Sequence, residues 1–185
     1  MGDDTAEKYG RLTLSPIAHI DGFGALMLLF FGFGWAKPVP VTPSKFKKPR
    51  LGMMITAVAG PLSNLLAALA GVVAFRLCDG MKYLYLTEEE STMYYVAWML
   101  TMFVVTNLNL FLFNLIPVPP LDGSRVLTYF LPPRAALWLM HNQRVIYGIM
   151  MILLFLGVMD WPLMVLNEWL QSLLLYITDW IPAVV

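Results

Sequence analysis

The sequence predicts an all-α polytopic membrane protein with four to five transmembrane or re-entrant helices and short extended proline-rich segments. Of the 185 residues, 59% are hydrophobic and 13% are charged, whereas a soluble domain has about 45–50% apolar and about 25% charged residues. Aromatic residues make up 14% of the chain, which is typical of proteins with aromatic side chains at the membrane interface. Long stretches without any charge are the third observation, and they place the individual segments.

The charge-free stretches define the membrane segments. Residues 51–75 and 91–121 contain no Asp, Glu, Lys or Arg, and about 20 apolar residues are enough for one helical crossing. Residues 22–36 and 145–159 are also uncharged but shorter, so each is a full or a partial crossing. We therefore expect one membrane-embedded domain over 1–185, with a polar lead-in at 1–21, membrane segments at 22–36, 51–77, 93–116 and 145–160, and an interfacial or final helix at 161–185.

The charges between these stretches predict an orientation. Loop 37–50 has five basic residues and no acid, and loop 122–144 has three arginines against one aspartate. Loop 76–90 is acidic, with Glu88, Glu89 and Glu90 in a row. Because positive loops stay in the cytoplasm, 37–50 and 122–144 are expected there. Twelve basic and twelve acidic residues leave no net charge to attract nucleic acid.

The stretch from Asn114 to Gly123 combines polar residues with a break in the helix. Three prolines, beginning with Pro117, prevent a regular helix from continuing. No charged residue occurs between residue 90 and the break, so the irregular backbone is expected within the membrane or at its edge. At membrane depth it must be buried in protein or line a wet cavity. Asp122 follows directly. It is either a functional-site residue or the N-cap of a helix starting near Ser124, and spacing alone leaves both readings open.

Small and polar residues also recur at helical spacing within 51–77. They are Thr56, Gly60, Ser63, Asn64, Ala67 and Gly71. Small residues permit close approach of another helix, and Asn64 can form a hydrogen bond across the contact. Pro61 removes one backbone hydrogen bond that neighbouring groups must replace. This face is interpreted as a packing surface, with contact to a substrate as the alternative.

Two further features have structural and functional interpretations. Residues 38–43 alternate proline with valine or threonine, so they form an extended segment that is either a rigid connector or an edge that pairs with an extended peptide. His19 and His141 each lack a second histidine four residues away. A lone histidine is more often structural than a metal ligand. One cysteine, Cys78, excludes an internal disulfide.

Five motifs together resemble the site-2 protease family, the zinc intramembrane metalloproteases, in its small prokaryotic branch. In order, they are Gly10-Arg-Leu-Thr-Leu-Ser-Pro16, His19-Ile-Asp21, Gly32-Phe-Gly-Trp-Ala-Lys-Pro-Val-Pro-Val41, Ala59-Gly-Pro-Leu-Ser-Asn64 and Asn114-Leu-Ile-Pro-Val-Pro-Pro-Leu-Asp-Gly123. The resemblance covers roughly residues 2–130. It implies an integral protein of a prokaryotic cell membrane that hydrolyses peptide bonds of membrane-spanning substrates.

The resemblance also implies the site. Zinc is held by two histidines of a His-Glu-x-x-His helix and by one aspartate, whose position falls on Asp122. The glutamate activates a zinc-bound water, and three protein ligands leave a coordination position open for it. Asn114 and Pro117 are implied to hold the substrate. Gly60, Pro61, Asn64 and Gly123 are expected to shape the structure near the site.

No His-Glu-x-x-His occurs in the 185 residues, and Gly22 stands where the family usually has proline. The sequence given therefore contains one of three expected zinc ligands and no catalytic base. We expect a fragment or late-start form of a protease. The alternatives are a non-catalytic protein that binds transmembrane segments, a different metal site formed by His19, His141 and Asp122, or a small transporter or channel subunit.

Overall fold

The structure, a computed structural model, describes residues 2–13, 15–31, 34–85 and 91–183. Within them the regular secondary structure is helical, and one isolated antiparallel bridge joins Ile20 and Ala36. The helices are α1 (Thr5–Lys8), α2 (Gly22–Phe31), α3 (Pro49–Leu77), α4 (Gly80–Tyr85), α5 (Thr92–Leu115), α6 (Asp122–Phe130), α7 (Pro133–His141), α8 (Gln143–Phe155) and α9 (Asp160–Ile177). The prediction of an all-helical protein is confirmed.

Two helices in the described residues are long and apolar enough to cross a membrane. They are α3 and α5, and a third span is added if α8 and α9, which are bent by 79° at their junction, count as one. Leu66 on α3 and Met99 on α5 are 58% and 60% exposed, so both helices present apolar side chains outward. The coarse prediction of membrane helices agrees with this, while the count of four to five remains a prediction.

The observed helices differ from the predicted segments mainly at their ends. Segment 22–36 corresponds to α2, which ends at Phe31, and residues 32 and 33 lie outside the described part of the chain. Segment 145–160 falls on α8, and α9 begins at Asp160 after a turn at 156–159. The acidic residues Glu88, Glu89 and Glu90 also lie outside the described residues, so their part in the predicted orientation is not addressed by the structure.

The described residues form two compact units, Met1–Met53 and Met54–Val185. In the first unit, side chains form hydrogen bonds at both ends of the proline-rich segment 38–43. Arg11, only 9% exposed, donates hydrogen bonds to the Ala18 carbonyl oxygen and, at 2.9 Å, to the Pro38 carbonyl oxygen. Asp3 Oδ2 accepts a 2.8 Å hydrogen bond from the Thr42 amide. The segment between Pro38 and Thr42 is therefore held at both ends.

In the second unit, α3, α5 and α9 share one apolar core. Its buried members are Ala68, Val72, Val104, Leu108 and Leu174. A Cβ atom at Gly71 would lie 2.9 Å from side-chain atoms of Phe103 and Val104, so this glycine permits close approach of α3 and α5.

Polar groups also fasten α9 to its neighbours. Asn167 is 3% exposed, and its Nδ2 donates to the Val105 carbonyl oxygen at 3.0 Å and to Asn109 Oδ1 at 2.6 Å. Gln171 Nε2 donates to Asn167 Oδ1 at 2.6 Å. Arg76, in the last turn of α3, donates to the Leu175 carbonyl oxygen at 2.7 Å. Helix α9 therefore packs along α5, and its end contacts the end of α3.

Candidate metal and substrate site

The candidate site lies at the break between α5 and α6. Helix α5 ends at Leu115, and residues 116–121 form turns instead of helix. The Val118 amide donates to the Ile116 carbonyl oxygen at 2.8 Å, and the Leu121 amide donates to the Val118 carbonyl oxygen at 3.0 Å. The Pro119–Pro120 bond is cis. The three prolines lack amide donors, so the chain cannot continue the α5 hydrogen-bonding pattern.

Gly123 brings the two helices into direct backbone contact. A Cβ atom at this position would lie 2.5 Å from the Ile116 carbonyl oxygen, and closer still to the Leu115 carbonyl oxygen. Only glycine leaves that space empty. The first turn of α6 therefore rests on the last carbonyl groups of α5, which fixes the position of the neighbouring Asp122.

Asp122 is the first residue of α6, and Leu121 is the N-cap. The alternative in which Asp122 caps a helix starting near Ser124 is therefore wrong. The side chain is half-buried, and a Cβ atom at Gly60 of α3 would lie 3.3 Å from its Oδ2. Burial raises the pKa of the Asp122 carboxyl, and the positive charge of Arg125 acts in the opposite direction.

The other predicted site residues lie close in sequence to Gly60 on α3 or to the end of α5. On α3, Pro61 is fully buried, Asn64 is half-buried one helical turn beyond Gly60, and the Ser63 hydroxyl donates to the Gly60 carbonyl oxygen at 2.6 Å. Asn114 is half-buried and donates to the Leu110 carbonyl oxygen of its own helix at 2.9 Å.

Pro117 is exposed in the turn that follows α5. The structure thus brings Asp122, Gly123 and Gly60 together at one place. The implied substrate-holding roles of Asn114 and Pro117 remain predictions.

The described residues do not by themselves fit a catalytic zinc ion. Within residues 2–13, 15–31, 34–85 and 91–183, no group of three or more His, Cys, Asp or Glu side chains comes together, and catalytic zinc normally has three protein ligands. His19 lies in the first unit, and His141 and Asp122 lie in the second, so the alternative site formed by these three residues remains a prediction. His19 Nε2 lies 2.9 Å from the Thr13 carbonyl oxygen. Among the described residues, Asp122 is the zinc ligand that the resemblance implies.

The sequence comparisons bear on the segment that contains this break. Residues 81–157 match the family described as Peptidase family M50. The predicted resemblance to the site-2 proteases, family M50, is confirmed. The matched segment includes Asn114, Pro117, Asp122 and Gly123, whereas Gly60, Pro61 and Asn64 precede it.

A curated relative supports the same family. The chain is 46% identical over 135 residues to the protein named "Putative zinc metalloprotease YwhC" of Bacillus subtilis (strain 168). The aligned part is 72% of this chain and 59% of the relative, so the chain spans about three-fifths of that relative's length. No solved structure matches this chain. The family match and this relative relate the chain to the same family.

Sequence reasoning missed three polar residues that organise the structure. Asn109, Asn167 and Gln171 link α5 to α9, but neither helix carried a recognised motif at these positions. A usable signal was present, because Asn167 and Gln171 are four residues apart in an otherwise apolar segment and therefore share a helix face. Arg11 lies in the first motif, but its structural role was not predicted, because its partners are carbonyl groups, which no side-chain pattern reveals.

Proposed function

We propose that this chain supplies the aspartate ligand and the substrate-facing break of a zinc-dependent intramembrane metalloprotease. The observation that carries the proposal is the placement of Asp122. It follows a proline-interrupted helix of an M50-matched segment, is seated by Gly123 and is half-buried against Gly60. An ionisable residue held beside a membrane helix in this way is a functional-site residue by default.

The remaining two ligands and the catalytic base come, in this proposal, from a His-Glu-x-x-His helix outside the 185 residues given. The M50 match and the name of the relative support zinc and proteolysis. The substrate is a membrane-spanning polypeptide, whose backbone Asn114 and Pro117 would contact beside Asp122. Four to five membrane segments with loops 37–50 and 122–144 in the cytoplasm complete the proposal.

Metal analysis and cleavage test this assignment on two proteins. One is made from residues 1–185, and the other from the same coding DNA extended upstream in frame. We expect the extended protein to bind one zinc per chain and to cleave a single-span peptide, and we expect Asp122→Ala to abolish both. Asp160→Ala is the matched control, because Asp160 also begins a helix after a break, and it should change neither property.

Retention of zinc by the extended Asp122→Ala protein would contradict the ligand assignment. An upstream sequence without His-Glu-x-x-His would contradict the protease proposal for this gene product. The lack of that motif in the sequence given favours one second candidate, a non-catalytic protein that binds transmembrane segments. It predicts association of purified chain with a defined single-span peptide, without zinc and without cleavage.

A further inference from the structure

We propose that α7 and the start of α8 bind the headgroups of anionic phospholipids at the membrane surface. The inference concerns a surface away from the α5–α6 break. It does not depend on whether the protein is a protease.

One face of α7 is exposed from end to end. Arg134, Leu137, Trp138 and His141 are all exposed. They lie at positions i, i+3, i+4 and i+7, so they form a single stripe on the helix. Leu137 and Trp138 are 66% and 63% exposed. Ala136 is 4% exposed and lies on the other side, where α7 contacts the protein. The stripe is thus an outer face with a cation at its start and large apolar side chains in its middle.

The length of α7 excludes a crossing and favours a position at the membrane surface. Its 9 residues extend for about 14 Å at roughly 1.5 Å per residue, whereas the hydrocarbon core of a bilayer is about 30 Å thick. The helix cannot cross, and it joins α8, which is apolar. Trp138 combines an apolar ring with a polar N–H group, and tryptophan is enriched where hydrocarbon meets headgroups.

The charge of this region selects the lipid. Residues 123–144 include Arg125, Arg134 and Arg144 and no acidic residue. Within the described part of the chain, no carboxylate lies within ion-pair distance of Arg134 or Arg144. Both arginines are exposed, and the guanidinium group is suited to bidentate contact with phosphate. Anionic headgroups at Arg134 and at Arg144, with Leu137 and Trp138 in contact with the lipid between them, would satisfy both the charge and the apolar surface.

Lipid retention by the full chain tests the proposal. The protein is reconstituted in phosphatidylcholine mixed with phosphatidylglycerol, and the lipid that stays bound after detergent extraction is counted by native mass spectrometry. A basic residue near an anionic surface contributes about a fivefold affinity, so R134Q/R144Q should weaken phosphatidylglycerol retention by about 25-fold. R134K/R144K keeps the charges but loses the bidentate geometry, so its phosphatidylglycerol retention should lie between those of the wild type and R134Q/R144Q.

Lys82→Gln removes a cation from exposed α4 and is compared with the single variant R134Q. Lys82→Gln should leave phosphatidylglycerol retention unchanged. Equal loss in the two variants would overturn the proposal, because retention would then follow net charge alone. Unchanged retention in R134Q/R144Q would also overturn it.

Two further readouts separate the lipid from other occupants. Excess soluble glycerol 3-phosphate should not displace the bound lipid, and displacement would indicate a soluble-anion site instead. Brominated lipid should quench less tryptophan fluorescence in Trp138→Phe than in the wild type. An unchanged quenched fraction would place Trp138 away from the membrane and contradict the proposal.

Discussion

Two helix breaks in the second unit have the same local design and different surroundings. An aspartate is the first residue of the helix that follows each break. It is Asp122 after the α5–α6 break and Asp160 after the α8–α9 break. At the first break, Gly123 allows the backbone of α6 to contact the backbone at the end of α5, and the Asp122 carboxylate is half-buried against α3. At the second, Gly157 adopts φ +68° within a turn, and Asp160 is exposed.

The difference shows that an aspartate after a helix break is not by itself a site. An acidic residue in the first turn of a helix is favoured by the helix dipole in either place. Only Asp122 is held against a second membrane helix, at Gly60, where its charge is partly removed from water. Packing from outside the break, rather than the break itself, distinguishes the candidate metal ligand from an ordinary helix start.

Alanine at the two break glycines gives the largest expected contrast. Gly123→Ala places a Cβ against carbonyl groups that cannot move without displacing α5, and we expect it to lower the free energy of unfolding by about 3 kcal/mol or more. Gly157→Ala incurs the cost of its positive φ, about 1–2 kcal/mol, and its Cβ would lie 3.0 Å from Oδ2 of Asp160, an exposed side chain that can move aside. Thermal unfolding in mild detergent, followed by helical circular dichroism, measures both. A greater loss of stability for Gly157→Ala than for Gly123→Ala would contradict the proposed difference between the two breaks.

Removing the amide of Asn167 tests what holds α9 beyond the second break. Asn167→Ala leaves the Val105 carbonyl and the Asn109 side chain without their donor, which should lower the free energy of unfolding by about 1–2 kcal/mol. Asn107→Ala is the matched control, because its amide bonds only the Phe103 carbonyl oxygen of its own helix at 2.8 Å. Its cost should be at most about 0.5 kcal/mol. Equal losses in the same unfolding assay would argue that the interhelical network contributes nothing special.

A helix glycine beside Asp122 can be compared with one in open space. Gly148→Ala on α8 meets no atom within 4 Å and should raise stability by up to about 1 kcal/mol through helix propensity. Gly60→Ala should lose that gain, because its Cβ contacts Asp122 Oδ2 and displaces the carboxylate. Peptide mapping after carbodiimide treatment reports the second effect as a changed labelling rate at Asp122. Identical stability gains and unchanged labelling would show that Gly60 does not position the carboxylate.

A third carboxylate sharpens the comparison with the smallest expected effect. The Thr5 hydroxyl, and then the Thr42 amide, hydrogen-bond the Asp3 carboxylate and hold its pKa below the ordinary value of 3.8. Because the folded-state pKa is lowered, this stabilisation is present above pH 3.8 and is lost as the pH falls through the folded-state value. Asp3→Asn should therefore weaken the loss of helical signal between neutral pH and about pH 2.

Glu7→Gln removes the same charge from an exposed neighbour and serves as the control for Asp3→Asn. It should leave the acid transition in place. If the two variants behaved alike, the hydrogen bonds to Asp3 would not be the source of the acid sensitivity.

Much of this architecture was predictable because it depends on composition and local chemistry. The charge-free stretches located α3 and α5 to within a few residues, since a membrane helix requires an uninterrupted apolar sequence. The prolines from Pro117 located the α5–α6 break, because proline lacks the amide that a helix needs. The sequence analysis placed the boundary between 160 and 161, whereas the turn lies at 156–159, because Gly157 lies in a segment whose hydropathy does not change.

The site was predictable in its residues and not in its contacts. Asp122 and Gly60 were both singled out, but their apposition depends on how α3 lies beside α6, which no periodicity encodes. The same limit explains why Asp122 was taken as a possible cap. Capping is a local property, and the side chain is directed instead by Gly123 resting on the end of α5.

Gly123 has a consequence for how disturbance would spread through the second unit. The carboxylate moves with the last turn of α5, and α5 in turn is gripped near its middle by Asn167 of α9. Helices α5, α6 and α9 are therefore expected to move together. A displacement of α9, caused by a bound neighbour or by a deletion, would therefore also displace the Asp122 carboxylate.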